Sequence, residues 1–83
     1  MVAFHKFKVF GHEATLLNNK MEVSVPDEDE GTKIILRVAD AILDKKLVSL
    51  RINMPSKIIL VTAKDNNNLL IRAEEANNKR IMN

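Results

Sequence analysis

The aromatic residues of this chain are confined to its amino-terminal end, at Phe4, Phe7 and Phe10. Every other large apolar residue is aliphatic, and the 83 residues include no cysteine. A chain of this length forms one domain with a small core. Because no disulfide can reinforce it, that core has to be built from packed Ile, Leu, Val and Ala side chains.

The overall composition is that of a globular domain, with 46% apolar and 29% charged residues. The longest aliphatic run, Ile58–Val61, is far shorter than the roughly 18 residues that span a bilayer. The first residues lack the basic-then-apolar layout of a signal peptide. We therefore expect a cytoplasmic protein with no membrane partner. Residues 1–76 are expected to form one globular α+β domain, and residues 77–83 a tail that frays or depends on a partner.

Alternation of apolar and polar residues predicts strands in the first 25 positions. Residues 3–10 show partial alternation and end at Gly11, which suggests a bulge or a bend. Residues 13–17 and 21–25 flank an Asn-rich turn, and asparagine tolerates the left-handed backbone that tight hairpins need. The pattern predicts a β-hairpin in which Met21 and the other odd-numbered positions of its second arm point inward.

An acidic run, Asp27–Glu30, follows Pro26 and precedes Gly31. Four successive carboxylates between proline and glycine predict a solvated loop. The run superficially matches a calcium-binding loop. Its glycine stands fifth rather than sixth, however, and its twelfth position is Val38 rather than a bidentate glutamate. We therefore predict no calcium site.

Residues 32–38 can be read as a strand or as the start of a helix that runs to Leu47. The segment 32–40 resembles 56–65, and each follows an alternating strand that ends in proline. The second copy has the pattern of a strand, which favours a strand for the first. The helix formers that follow predict one amphipathic helix near residues 38–47.

The carboxyl-terminal half continues the strand pattern. Residues 48–52 alternate cleanly, and residues 57–63 are predicted to form the next strand. Residues 66–80 fit either a last strand or a helix capped by Asp65. The fold class predicted is α+β: a small β-rich single domain with five to six mainly antiparallel strands, arranged as hairpins or a meander, and one helix.

Residue types that carry catalysis are scarce. His5 and His12 are the only histidines, and their separation across a glycine does not match a metal-binding spacing. With two glycines in the whole chain, no phosphate-binding glycine loop can form, and no hydroxyl lies in a nucleophile elbow. We therefore predict a non-enzymatic protein with no catalytic, cofactor-binding or metal-binding residues and no cofactor.

Two classes of binding function remain. A nucleic-acid binder would use a basic strand face, which forms if Lys6, Lys8, Arg51 and Arg72 share one side of the sheet. A net charge of +2 is too small to favour this strongly.

The favoured alternative is a homo-oligomeric interaction or regulatory module, a homodimer or larger, with a different protein as another partner. The runs around Ile35 and Ile59 are apolar on both strand faces, as in buried central strands that a small domain cannot cover alone. The interface residues predicted on this basis are Ile35, Ile42, Ile58, Leu60 and Leu69.

The order of strands around a single helix is similar to that of the β-grasp group, which includes ubiquitin-like sulfur carriers. The resemblance implies a carrier function that depends on a carboxyl-terminal Gly-Gly. This chain ends Arg80-Ile81-Met82-Asn83. The diglycine chemistry is therefore not expected here.

Overall fold

The computed structural model describes residues 4–75, which form a six-stranded sheet and one helix. The strands lie in the sheet in chain order. The elements are β1 (His5–Val9), β2 (His12–Leu17), β3 (Lys20–Ser24), α1 (Glu28–Leu43), β4 (Ser49–Asn53), β5 (Lys57–Ala63) and β6 (Leu69–Glu75). The predicted α+β class is confirmed. The predicted tail, residues 77–83, lies outside the described residues.

Two tight turns connect the first three strands. Phe10 and Gly11 have φ values of 50° and 80°, and Asn18 and Asn19 have 52° and 63°. Positive φ at both central residues defines the type I′ hairpin turn, whose twist matches that of the flanking strands. The hairpin predicted at the asparagines is confirmed. Gly11, predicted as a bulge or a bend, instead completes a hairpin turn between β1 and β2.

The helix joins the only parallel neighbours among these six strands. β3 and β4 run parallel, and every other adjacent pair is antiparallel. A parallel pair needs a crossover connection, which α1 provides. The predicted mainly antiparallel sheet is thus confirmed, with its single parallel pair at the centre.

The predicted helix position, 38–47, is wrong in its start and its end. Helix α1 runs from Glu28 to Leu43, so of the two structures left open for residues 32–38 the helix is found, and the favoured strand is wrong. Ile34 is completely buried, whereas Leu36, two positions later, is 73% exposed. Residues two apart share a face on a strand but point to nearly opposite sides of a helix. A short run such as Ile-Ile-Leu fits either period, so its similarity to the β5 sequence had no structural meaning.

The acidic run is the start of this helix rather than a solvated loop. Asp27 is the N-cap, and its carboxylate accepts a hydrogen bond from the backbone N–H of Glu30 at 3.0 Å. Glu28, Asp29 and Glu30 form the first turn, where the helix dipole favours negative charge. At the other end Lys45 takes a left-handed φ of 66°, so the chain leaves the helix before Leu47.

The core lies between α1 and one face of the sheet. Its fully buried large side chains are Val23, Ile34, Ile42, Leu50, Ile52 and Val61. It is aliphatic, as predicted, and no polar residue in the described part of the chain is buried. In the loop before β6, Asp65 accepts hydrogen bonds from the backbone N–H groups of Asn67 and Asn68. This side chain therefore stabilises a turn, and of the two structures left open for residues 66–80, the strand is found at Leu69–Glu75.

Candidate interaction surface

No part of residues 4–75 covers the sheet face opposite the helix, and we call this face the open face. Side chains alternate across a strand, and paired residues on adjacent strands share a face. The residues of the open face are Lys6, Lys8, Glu13, Thr15, Leu17, Lys20, Glu22, Ser24, Ser49, Arg51, Asn53, Ile58, Leu60, Thr62, Leu70, Arg72 and Glu74. None of them is fully buried.

A single row of register partners crosses the open face from one edge to the other. We call it the middle row, and it consists of Lys6, Thr15, Glu22, Arg51, Leu60 and Arg72, one from each strand in order. With strands about 4.8 Å apart, the row spans about 24 Å. It therefore sets side chains from both ends of the sequence in one line.

The four basic residues predicted for nucleic-acid contact all lie on the open face. Three of them belong to the middle row, and Lys8 lies beside it on β1. Carboxylates are interleaved with them: Glu13 is the register partner of Lys8, and Glu22 is the register partner of Arg51. The whole face carries five basic and three acidic side chains, so its net charge is only +2.

A short polar network lies at the centre of the face. The side-chain amide of Asn53 donates to Glu22 Oε2 at 2.7 Å, and Arg51 Nε donates to Asn53 Oδ1 at 3.3 Å. All three are at the surface, where solvent screens their attraction. Charges of opposite sign are therefore held next to one another on β3 and β4 and remain accessible.

Aliphatic side chains lie among these charges. Leu17, Ile58 and Leu60 are half-buried, and Leu70 is exposed on the edge strand. Phe4, 52% exposed, lies at the β1 edge with Lys6 Nζ 5.9 Å from its ring centroid. A shallow depression of about 620 Å³ is lined by Phe4, Leu17 and Leu60 together with central polar residues. The open face thus presents apolar side chains among charged ones.

The structure separates the five residues predicted for an oligomer interface. Ile42 is fully buried in the core, and Ile35 and Leu69 pack against that core from partly buried positions. They belong to the apolar side of the domain, which α1 already covers. Only Ile58 and Leu60 lie on the open face. We therefore leave Ile42, Ile35 and Leu69 out of the interface proposed below.

The two histidines lie apart from the open face. His5 is exposed on β1, whereas His12 Nε2 lies 2.8 Å from Glu30 Oε1 and joins β2 to the first turn of α1. Hydrogen bonds from His12 and then Lys33 lower the pKa of Glu30 from its ordinary value of 4.5. Sequence reasoning missed this contact because 18 positions separate its partners.

Within residues 4–75 no three His, Asp or Glu side chains are grouped as a metal ion would require. The same range contains no helix of the length and hydrophobicity needed to cross a bilayer. The sequence significantly matches no protein-family model, no curated protein and no solved structure. Functional proposals therefore rest on the surfaces of the chain itself.

Proposed function

We propose that this protein is a non-enzymatic interaction module that associates with a second copy of itself through the open face. The observation that carries the proposal is the one-sided packing of the sheet. Helix α1 covers one face, while the other presents half-buried Leu17, Ile58 and Leu60 among charges of both signs. The cytoplasmic location and the regulatory role expected from the sequence stay predictions.

The size of the face sets the strength of the association that we expect. Six strands of five to seven residues give a flat outline about 24 Å wide and 17–23 Å long. Side chains standing on a sheet expose more area than its outline. The outline itself, about 410–550 Å², is smaller than the roughly 800 Å² per partner of a standard interface, so we expect a weak dimer that forms only at high concentration. A second sheet packed about 10 Å away would bury the aliphatic side chains from both copies.

The distribution of charge also supports contact between identical copies. A symmetric contact places a patch against itself, so a patch of one sign repels its copy. On the open face, Glu13, Glu22 and Glu74 lie among five basic side chains. Favourable pairs can therefore form between two identical faces.

Sedimentation equilibrium over a range from about 1 μM to 1 mM tests the proposal. We expect the average mass of the wild-type protein to rise with concentration towards a dimer. Leu60→Asp, in the middle row, is expected to remain monomeric because it would bury a charge without a partner. Leu36→Asp is the matched control, since Leu36 lies on the outer side of α1. A wild-type protein that stays monomeric, or equal loss from both variants, would contradict the proposal.

Nucleic-acid binding is a second candidate, favoured by one observation. Lys6, Arg51 and Arg72 lie in the same row, and Phe4 at its end offers an aromatic ring for base stacking. We expect such binding to weaken steeply with salt. Fluorescence anisotropy of a labelled single strand tests this, with Arg51→Gln against the helix variant Arg37→Gln. The absence of binding at low salt, or equal effects of the two variants, would exclude this candidate.

A further inference from the structure

We propose that the two copies pack with their open faces together around a twofold axis that runs parallel to the strands, between β3 and β4. This inference rests on the proposed self-association and specifies its geometry. It places the Glu22 carboxylate opposite the partner's Arg51 and, by symmetry, Arg51 opposite the partner's Glu22.

The strand order determines which side chains meet. Rotation by 180° about this axis exchanges β1 with β6, β2 with β5 and β3 with β4, and leaves the position along each strand unchanged. The middle row therefore faces a copy of itself in reverse order. Glu22 and Arg51, register partners within one chain, become the central pairs between chains.

The flanking rows are partly complementary under this rotation. Lys8 pairs with Glu13 in one chain, and Asn53, Ile58 and Glu74 continue that row on the other side of the sheet. Its reversal places Lys8 opposite the partner's Glu74. At the opposite end of the strands, Phe4 on the β1 side meets the partner's Leu70 on β6. Two contacts in the flanking and middle rows are not matched: Glu13 faces the partner's Ile58, and Lys6 faces the partner's Arg72.

The other face-to-face twofold, with its axis across the strands, gives a poorer fit. With that axis over the middle row, the rotation places each strand on its own copy, so each middle-row residue faces itself. Glu22 would face the partner's Glu22, and Arg51 the partner's Arg51. Like charges directly opposed across an interface are unfavourable. The charges of the middle row therefore favour the axis parallel to the strands over a transverse axis through that row.

The central pair is also the least sensitive to sheet twist. Packed sheets cross at about 30° because each is twisted, which displaces outer pairs more than inner ones. Glu22 and Arg51 lie on the two central strands, each displaced sideways from the axis by about 2.4 Å, half the strand spacing. Glu22 therefore still lies opposite the partner's Arg51 when the two sheets cross at this angle.

A mixing experiment with two charge-reversed variants tests the geometry. We expect Glu22→Lys and Arg51→Glu each to weaken self-association by about tenfold or more. Each variant places like charges opposite one another at the central pair, and the twofold symmetry makes that contact occur twice. When they are mixed, the new lysine faces the new glutamate, and native Arg51 of one chain faces native Glu22 of the other. A heterodimer with affinity near that of the wild type is expected.

The outcomes distinguish the geometry from the proposed function. Arg37→Glu, on the helix, is the control: it should dimerise normally and fail to rescue Glu22→Lys. If the wild type dimerises but the mixture is as weak as either variant alone, the axis is wrong and self-association stands. If the wild type is monomeric at every concentration, the proposed function fails. A second mixture, Lys8→Glu with Glu74→Lys, tests the same axis at the edge strands. If the central mixture recovers affinity and this one does not, the predicted contact between Lys8 and the partner's Glu74 is wrong.

Discussion

Glu22 on β3 and Arg51 on β4 are register partners across the parallel strand pair, at the centre of the open face. Asn53 bridges them by accepting from Arg51 and donating to Glu22. They are adjacent only because the α1 crossover returns the chain beside β3. A negative and a positive group therefore flank the midline of the sheet, and this arrangement allows the face to complement a copy of itself.

The two ends of the middle row predict a variant that strengthens association. The proposed twofold places Lys6 opposite the partner's Arg72, a like-charge contact that occurs twice. We expect Arg72→Glu to convert it into an attractive contact and to tighten the dimer by about two- to thirtyfold, because the contact occurs twice and an exposed ion pair contributes about 0.2–1 kcal/mol. Sedimentation equilibrium measures this change. Arg37→Glu, which has the same charge change on α1, should leave affinity unaltered, and a weaker dimer for Arg72→Glu would contradict the axis.

The position of Ile34 on α1 predicts a large stability difference between two nearby residues. Ile34 is completely buried, and Leu36 lies on the outer side of the helix. We expect Ile34→Ala to lower the free energy of unfolding by about 2–5 kcal/mol, because it removes buried methyl groups and leaves a cavity. Leu36→Ala should change it by less than about 0.5 kcal/mol. Urea unfolding measures both, and a result with the two costs equal would contradict the helix assignment.

Asp27 predicts the effect of removing the helix cap. Its carboxylate accepts from the backbone N–H of Glu30. Without that acceptor, Asp27→Ala is expected to lower the free energy of unfolding by about 1 kcal/mol, whereas Asp27→Asn keeps an oxygen acceptor and should cost much less. Thermal unfolding followed by circular dichroism measures the difference. Equal losses in the two variants would show that the hydrogen bond is not the stabilising contact.

The contact between His12 and Glu30 predicts a loss of stability in acid. The pKa of Glu30 is lowered in the folded protein, first by the hydrogen bond from His12 and then by the hydrogen bond from Lys33. A carboxyl group whose pKa is lowered in the folded state stabilises the fold at pH values above its ordinary pKa of 4.5. That contribution is lost as the pH falls below 4.5 and through the lowered pKa. Glu30→Gln should therefore show a smaller decline in unfolding free energy over this range than the wild type. An unchanged acid profile would contradict the assignment.

The parts of the fold that follow from local pattern were predictable. Asn18 and Asn19 predicted a hairpin because few other residues adopt left-handed backbone at low cost. The helix start was missed, although Asp27 followed by Glu30 three positions later matches an N-terminal capping pattern, and acidic residues favour a first turn. The local sequence was therefore sufficient to predict the start of the helix. The apparent repeat of residues 32–40 in 56–65 favoured a strand instead.

The arrangement of the open face was beyond sequence reasoning. Lys6, Arg51 and Arg72 were candidates from their residue type, but their shared row depends on every strand pairing in register. Ile42 was assigned to an outer interface because a helical stripe alone does not show what covers it. Its burial follows from the crossover, which places α1 over the chain's own sheet.

Isotope-filtered NOE spectroscopy on a mixture of labelled and unlabelled wild-type protein tests self-association through the open face most directly. The predicted result is a set of intermolecular contacts from the methyl groups of Leu17, Ile58, Leu60 and Leu70, including one between Leu70 and the partner's Phe4. Intermolecular contacts confined to Leu36 or Val48, which are exposed elsewhere, or none at a concentration near 1 mM, would contradict it.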